Sequence, residues 1–243
     1  MDPNYNKTYG ELYARHWWWR AREEMVLQLL RKQFGSRSDL QILDVGCGDG
    51  LFFDRLEQFG EVEGIEAVTD LIAPHGIHRT KIHVGEFDES FHPRKRYSLI
   101  LMLDVLEHLD RPEAALRHAG TLLELGGVLL ITVPAFRLLW TNHDVLNQHR
   151  TRFTKAGLRN LLERGRLRVL DARYFFVWLF AAKLCTRAIE GMVRSKPGVP
   201  RVPAPWLNKL LWKFSRAENS LALRFPFPFG SSLLMLVTLK SGS

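Results

Sequence analysis

The sequence predicts an α/β fold with a doubly wound, mostly parallel sheet of seven strands and helices on both faces. Short apolar runs that end at turn residues alternate with segments of helical periodicity. The first of these runs leads directly into a glycine-rich turn, as strands do at ligand sites of such sheets. Right-handed crossovers should bring the loops after successive strands to one edge of the sheet, where we expect the ligand to bind.

Seven apolar runs are the predicted strands, and four segments between or before them are the predicted helices. The strands read LQILDV, EVEGIE, TKIHV, YSLILML, GVLLITV, LRVLDARYFF and SSLLMLVTL in chain order. Helices are predicted for residues 11–34, LFFDRLEQFG, RPEAALRHAGTLLELGG and FTKAGLRNLLERG. In the last of these, Thr154 suits the N-cap and Gly165 the C-terminal end. In the third, Pro112 stands at the start and a glycine follows the end.

The 243 residues are enough for one large domain with a buried core, and composition divides that domain into four parts. Residues 1–36 are a predicted helical cover, 37–176 the ligand-binding core, 177–229 an aromatic and basic helical insert, and 230–243 the last strand. The net charge is +8, and nearly all of the surplus lies between Phe175 and Phe229. That window holds nine basic residues, two acidic residues and ten aromatic residues.

The segment WLNKLLWKFSRAENSL within the insert predicts a basic amphipathic helix. Apolar residues share one face, and basic residues lie beside it: Trp206, Leu210, Leu211 and Phe214 against Lys209, Lys213 and Arg216. Two interpretations stay open. The helix could lie on an anionic membrane surface, or it could be a lid whose apolar face packs on the core.

Cysteine usage and the N-terminal sequence favour the cytoplasm. Cys47 and Cys185 cannot form a disulfide framework, and the N-terminal residues lack the apolar core of a signal peptide. The apolar run FFVWLFAA is far shorter than the roughly 20 residues that span a bilayer, so we expect no transmembrane segment there.

Four acidic residues fall at or just past the ends of predicted strands, namely Asp44, Glu66, Glu86 and Asp104. The turn between the first strand and its helix reads G-x-G-x-G, and Asp49 lies within it. Acids there would repel a pyrophosphate, and the P-loop pattern is missing, so dinucleotides and nucleoside triphosphates are disfavoured. Glu66 is placed to accept ribose hydroxyls, and Glu86 could accept an adenine amino group. The ligand that combines adenosine with positive charge is S-adenosylmethionine.

These motifs resemble those of class I S-adenosylmethionine-dependent methyltransferases, a Rossmann-like family. The matching pieces are ILDVGCGDG, GIE, VGEF and LILMLDVLEHLDRP, and the type that they resemble is the small-molecule and quinone-biosynthesis one. The resemblance implies S-adenosylmethionine as cofactor, S-adenosylhomocysteine as product and an antiparallel last strand. It places the ribose on Glu66, the adenine between Glu86 and Phe87, and the methionine part near Asp44, Gly46 and the Leu103 carbonyl. The full set of implied cofactor-binding residues is Asp44, Gly46, Cys47, Gly48, Glu66, Ala67, Glu86, Phe87, Leu103 and Asp104. A turn without a ligand, and ordinary helix N-terminal acids at Asp104 and Glu107, are the structural alternatives.

Two histidines are candidates for a general base, which methyl transfer needs only if the acceptor carries a proton. His108 follows the fourth strand, and His149 lies in the stretch HRTRFT after the fifth. His149 with Arg150 and Arg152 could bind or deprotonate an anionic acceptor, and a structural hydrogen-bonding role is the alternative for each histidine. His143, Asp144 and His149 lack a clear metal-ligand pattern, so we predict no metal site.

The resemblance predicts O- or C-methylation of a small or lipophilic acceptor. Three alternatives stay open: a non-catalytic S-adenosylmethionine-binding protein, a membrane-surface docking protein and a nucleic-acid methyltransferase. The last is disfavoured because LDVLEH stands where base-methylating enzymes of this fold carry Asn or Asp followed by Pro-Pro-aromatic. The basic charge alone would permit nucleic-acid binding.

Overall fold

A computed structural model describes residues 3–193 and 198–240 of the chain. Its centre is one seven-stranded sheet in the order β3-β2-β1-β4-β5-β7-β6. The strands are β1 (Leu40–Val45), β2 (Gly60–Glu66), β3 (Ile82–Val84), β4 (Tyr97–Leu103), β5 (Leu123–Pro134), β6 (Leu167–Phe175) and β7 (Ser232–Leu239). Strands β1 to β5 pair in parallel, and β7 runs antiparallel between β5 and β6. The predicted fold class is therefore confirmed, including the helical insert before the last strand.

The register of the central strands explains why the acidic residues share an edge. Ile42 of β1 lies between Val62 of β2 and Leu99 of β4. All three side chains are buried, as the continuous apolar runs predict for a parallel sheet covered on both faces. Because these strands are parallel, their carboxyl ends emerge at the same edge.

Eight α-helices are seen among the described residues. They are α1 (Pro3–Arg15), α2 (Trp17–Phe34), α3 (Phe53–Leu56), α4 (Pro112–Leu122), α5 (Asn142–Leu146), α6 (Lys155–Arg164), α7 (Val177–Val193) and α8 (Pro205–Ala222). The caps predicted for α6 are confirmed, since the Thr154 side chain accepts the N–H of Gly157 and Gly165 ends the helix. None of the helices in residues 3–193 and 198–240 is both long and apolar enough to cross a membrane.

The helix predicted over residues 11–34 is divided in two at His16. His16 has an extended backbone, and its Nδ1 accepts the N–H of Trp18 at 3.2 Å. It therefore ends α1 and caps α2, which the helical periodicity of the segment did not indicate.

Two predicted helices are shorter than expected. The segment LFFDRLEQFG forms only the four-residue α3 and a 3₁₀ turn over Glu57–Phe59, although its apolar residues Phe52, Leu56 and Phe59 are buried. Helix α4 ends at Leu122, and the glycines predicted to follow its C-terminus lie within β5. A Cβ on Gly127 would approach the Tyr97 carbonyl oxygen to 2.8 Å, so this glycine permits close strand pairing.

The chain folds as two compact units, each assembled from separate stretches of sequence. The first comprises residues up to Gly35, Pro134–Phe153 and Arg173–Leu233, and it contains α1, α2, α5, α7 and α8. The second comprises Ser36–Val133, Thr154–Ala172 and the residues from Leu234 on, and it contains α3, α4, α6 and most of the sheet.

Candidate cofactor site

The glycine-rich turn after β1 has a backbone that only glycine adopts easily. Gly46, Gly48 and Gly50 have φ values of 74°, 55° and 71°. A Cβ on Gly46 would lie 2.8 Å from Cγ2 of Val105, so a side chain is also excluded by space. Asp44, two residues earlier in β1, is 5% exposed and brings a carboxylate to the start of this turn.

Glu66 ends β2 and is the best-defined acid of the site. It is 6% exposed, its Oε2 accepts the Gly48 N–H at 2.9 Å, and its Oε1 accepts the Val68 N–H at 2.8 Å. Burial raises the pKa of Glu66 and outweighs the opposing effect of these N–H donors. Each carboxylate oxygen has a second lone pair, so the group can still accept two ribose hydroxyls.

The loop after β3 brings the third predicted motif to the same strand end. The Gly85 N–H donates to the Glu66 carbonyl at 3.0 Å, and Glu86 follows on the surface. Phe87 is half-buried, with its ring centroid 5.0 Å from that of His118. Ala67 is exposed beside Glu66. This arrangement suits an adenine lying against Phe87.

The end of β4 carries a strained backbone. Leu103 is half-buried, and Asp104 has φ 58°, the left-handed region that Asp tolerates better than most residues. The Asp104 N–H donates to the Thr132 carbonyl of β5 at 2.9 Å, which fixes this conformation. A 3₁₀ turn over Leu106–His108 follows Asp104, and the next α-helix begins only at Pro112. Backbone strain of this kind is concentrated at functional sites.

Two side chains in the turn serve its architecture. Oδ1 of Asp49 accepts the Ala73 N–H at 2.9 Å, which turns this acid toward the chain after β2. Cys47 is buried, and burial followed by the charges of Asp44 and Glu66 raises the pKa of its thiol. A Cβ on Gly64 would lie 2.5 Å from the Cys47 sulfur, so Gly64 makes room for that side chain. Gly64 was not identified from the sequence. The only indication there is that a glycine lies inside a predicted strand, which often marks close approach of another group.

The chemistry of the predicted set fits S-adenosylmethionine. The ten residues include four carboxylates and no lysine or arginine, which favours a cationic ligand over a phosphate. Because Gly46 has no side chain, the space beside Val105 stays open, and two backbone N–H groups orient the Glu66 carboxylate.

The candidate base His149 belongs to the first unit and is held by a buried carboxylate. Its Nδ1 lies 2.8 Å from Oδ1 of Asp144, which also contacts Nε of Arg152 at 2.8 Å. Burial opposes ionisation of Asp144, but hydrogen bonds from His149 and Arg152 outweigh it and hold its pKa well below the usual range. Since an ionised carboxylate only accepts hydrogen bonds, the Nδ1 of His149 carries the proton.

Arg152 and His143 make structural contacts in this segment. Arg152 is buried, and its guanidinium donates hydrogen bonds to Asp144 and to the Ala135 carbonyl. The expectation that Arg152 binds an anionic acceptor is therefore not supported. His143 lies 3.0 Å from the Asn147 amide, and burial lowers its pKa to about 3. His108, the second candidate base, is half-buried in a 3₁₀ turn after β4 in the second unit.

The family model described as Methyltransferase domain matches residues 18–171. The chain belongs to this methyltransferase family. The match includes every residue of the predicted cofactor set, and it confirms both the resemblance to class I S-adenosylmethionine-dependent methyltransferases and the cofactor that the resemblance implies. The expectation of an S-adenosylmethionine-dependent enzyme is thereby confirmed at the level of the family.

The curated relatives that this chain matches are also methyltransferases. The chain is 27% identical over 146 residues to the mitochondrial ubiquinone biosynthesis O-methyltransferase of Candida albicans, covering 55% of this chain and 45% of the relative. The chain spans about half the length of the curated relatives it matches.

Solved structures confirm the methyltransferase fold. One is a chain of the Haloferax volcanii complex between the Trm112 methyltransferase activator and a methyltransferase, with TM-score 0.59 and 13% identity over 97% of this chain and 95% of that one. Another is magnesium protoporphyrin IX methyltransferase of Synechocystis with bound S-adenosylhomocysteine, with TM-score 0.53 and 13% identity over 91% and 83%.

Proposed function

We propose that this chain transfers the methyl group of S-adenosylmethionine to a hydroxyl group of a small, lipophilic acceptor. The observation that carries the proposal is the Glu66 carboxylate, buried at the end of β2 and oriented by the N–H groups of Gly48 and Val68. When bound, S-adenosylmethionine supplies an activated methyl group on a sulfonium sulfur.

The residues of the cofactor site act by binding and positioning. Glu66 accepts the ribose hydroxyls, and Glu86 with Phe87 frames the adenine. Asp44 and Asp104 provide negative charge for the ammonium and sulfonium end. The glycine turn lets the backbone approach the ligand closely. Alignment of the reacting atoms and exclusion of water then account for most of the acceleration of such a displacement.

We propose His149 as the general base for the acceptor hydroxyl. Asp144 fixes the tautomer in which Nδ1 carries the proton, so Nε2 is the basic nitrogen of the neutral ring. A carboxylate that orients an imidazole in this way also stabilises the imidazolium formed when the proton is taken. His108 is the alternative base.

Two observations favour an O-methylated, lipophilic acceptor. The curated relatives are ubiquinone biosynthesis O-methyltransferases, and a hydroxyl acceptor needs the base that the Asp144–His149 pair offers. We further propose that the enzyme works in the cytoplasm and meets this acceptor at the inner face of the membrane. Its insert would then help to choose the acceptor.

The test is methyl transfer from radiolabelled S-adenosylmethionine to a set of lipophilic phenols, with calorimetric titration of the cofactor alongside. We expect cofactor binding, acceptor-dependent label in the organic phase, and loss of both in Asp44→Ala. Cofactor binding without any transfer would favour a non-catalytic protein. Label in RNA or DNA, with salt-dependent binding to either, would favour a nucleic-acid enzyme.

A further inference from the structure

Helix α8 turns a polar face toward α2. Asn208 accepts the Trp17 N–H at 2.9 Å and donates to the Arg15 carbonyl at 2.8 Å. Asn219, three turns later, donates to the Ala21 carbonyl. Ser215 lies between them on the same face and is fully buried. The covered side of α8 is therefore built from hydrogen bonds to the backbone of α2 and of the residues before it.

The opposite face of α8 is apolar and exposed. Trp206, Leu210 and Phe214 follow at four-residue spacing, which places them on one side of the helix. Their exposed fractions are 71%, 56% and 55%. Leu221 in the last turn of α8 and Phe225 just past its end are also exposed apolar residues. Monomeric soluble proteins seldom expose a contiguous stripe of this kind, so it indicates an interaction surface.

Basic residues flank this stripe. Lys209, Lys213 and Arg216 are all exposed, and Arg216 also pairs with Glu24 of α2 at 2.9 Å. The only acidic residue of α8 is Glu218, and its carboxylate accepts N–H groups at the start of α7, including that of Trp178 at 2.8 Å. The charge beside the apolar stripe is therefore positive.

These exposures favour the membrane-surface interpretation of the amphipathic helix over the lid. A lid packed on the core would bury Trp206, Leu210 and Phe214, but these are the side chains that α8 leaves uncovered. We propose that the outer face of α8, together with Phe225, docks on an anionic lipid bilayer surface. Tryptophan and phenylalanine favour the interfacial region, and lysines beside them face the anionic headgroups.

This docking surface deepens the proposed function, because it would give the enzyme access to a lipophilic acceptor. Only that purpose rests on the proposed function. Membrane docking itself requires neither the cofactor nor methyl transfer. Vesicle binding therefore tests the surface independently, because it can succeed where methyl transfer fails and fail where methyl transfer succeeds.

The experiment is flotation of the full chain with phosphatidylcholine vesicles, with and without phosphatidylglycerol. We expect binding that requires phosphatidylglycerol and weakens with salt. The double variant Lys209→Glu/Lys213→Glu should bind at least about twenty-five-fold more weakly, since each of the two basic residues near an anionic surface contributes about fivefold. The double variant Trp206→Ser/Phe214→Ser should not bind the vesicles, because it lacks two of the apolar side chains that would contact the bilayer.

Matched controls separate surface contact from net charge and from misfolding. Arg159→Glu/Arg164→Glu on the exposed side of α6 changes the net charge equally and should bind like the parent chain. Circular dichroism and S-adenosylmethionine affinity should be unchanged in all variants. Equal loss in the α6 control would overturn the proposal, as would binding to neutral vesicles alone. Self-association that Phe214→Ser abolishes would assign this face to a second copy of the chain instead.

Discussion

The backbone N–H of Gly48 donates to Oε2 of Glu66 at 2.9 Å, so the turn after β1 is tied to the end of β2. The same carboxylate holds the start of the next loop through Val68. A ligand that needs this carboxylate therefore meets it already oriented, which lowers the entropic cost of binding.

The variant Glu66→Gln should bind S-adenosylmethionine about thirty- to a hundred-and-fiftyfold more weakly. The amide replaces a carboxylate that makes charge-assisted hydrogen bonds, worth about 2 to 3 kcal/mol in total. Its NH₂ group would also face the Gly48 or Val68 N–H, which needs an acceptor. Isothermal titration calorimetry measures the loss directly.

Glu63→Gln in the same strand is the matched control for Glu66. Glu63 accepts the Tyr97 hydroxyl at 2.6 Å and pairs with Lys95 at 3.2 Å, so its loss should lower stability and leave cofactor affinity unchanged. Equal affinity of Glu66→Gln and the parent chain would remove Glu66 from the cofactor site.

The variant Gly46→Ala should destabilise the fold for two separable reasons. Left-handed backbone costs a non-glycine residue about 1 to 2 kcal/mol, and the new Cβ would press on Cγ2 of Val105. In a Val105→Ala background only the backbone cost remains, so a urea-denaturation double-mutant cycle should show coupling between the two sites. Gly10→Ala in α1, where a Cβ meets nothing within 4 Å, should instead stabilise the chain.

The variant Asp144→Asn should lower the free energy of unfolding by about 3 to 5 kcal/mol, because it leaves the buried Arg152 guanidinium without its counter-charge. Urea denaturation at neutral pH measures the loss. Asp39→Asn removes the same type of carboxylate from the exposed Arg37 pair and should cost far less. Equal losses would show that burial of the Asp144 pair contributes little.

The variant His149→Gln should lower kcat about a hundred- to ten-thousandfold and leave S-adenosylmethionine affinity unchanged, if His149 removes the acceptor proton. His143→Gln is the control, because His143 is engaged with Asn147. A loss of kcat in His108→Gln but not in His149→Gln would assign the base to His108.

The strands, and the position of the predicted cofactor residues at their carboxyl ends, were predictable because parallel strands covered on both faces read as continuous apolar runs that end in loops. The covered side of α8 was not predictable. Periodicity shows that Trp206 and Phe214 share a face, but not which face is buried. That choice depends on Asn208 and Asn219, which satisfy backbone groups of residues almost two hundred positions away.

The break at His16 was also hidden in the sequence, since histidine is not among the preferred N-cap residues. Its Nδ1 can accept the Trp18 N–H only while it is unprotonated. Burial lowers the pKa of His16 from its ordinary value of 6.5 to about 4. The cap therefore contributes stability that is present above about pH 6.5 and is lost as the pH falls toward the folded pKa.

The variant His16→Asn should keep the cap and remove this titration, because asparagine is a preferred N-cap residue. At neutral pH its free energy of unfolding should be similar to that of the parent chain. As the pH falls from about 6.5 toward about 4, the parent should lose more stability than the variant, so the difference should grow in favour of His16→Asn. His16→Ala should be less stable than both at neutral pH and equally free of the titration. Parallel pH dependence of all three chains in urea denaturation would contradict a role for His16 protonation.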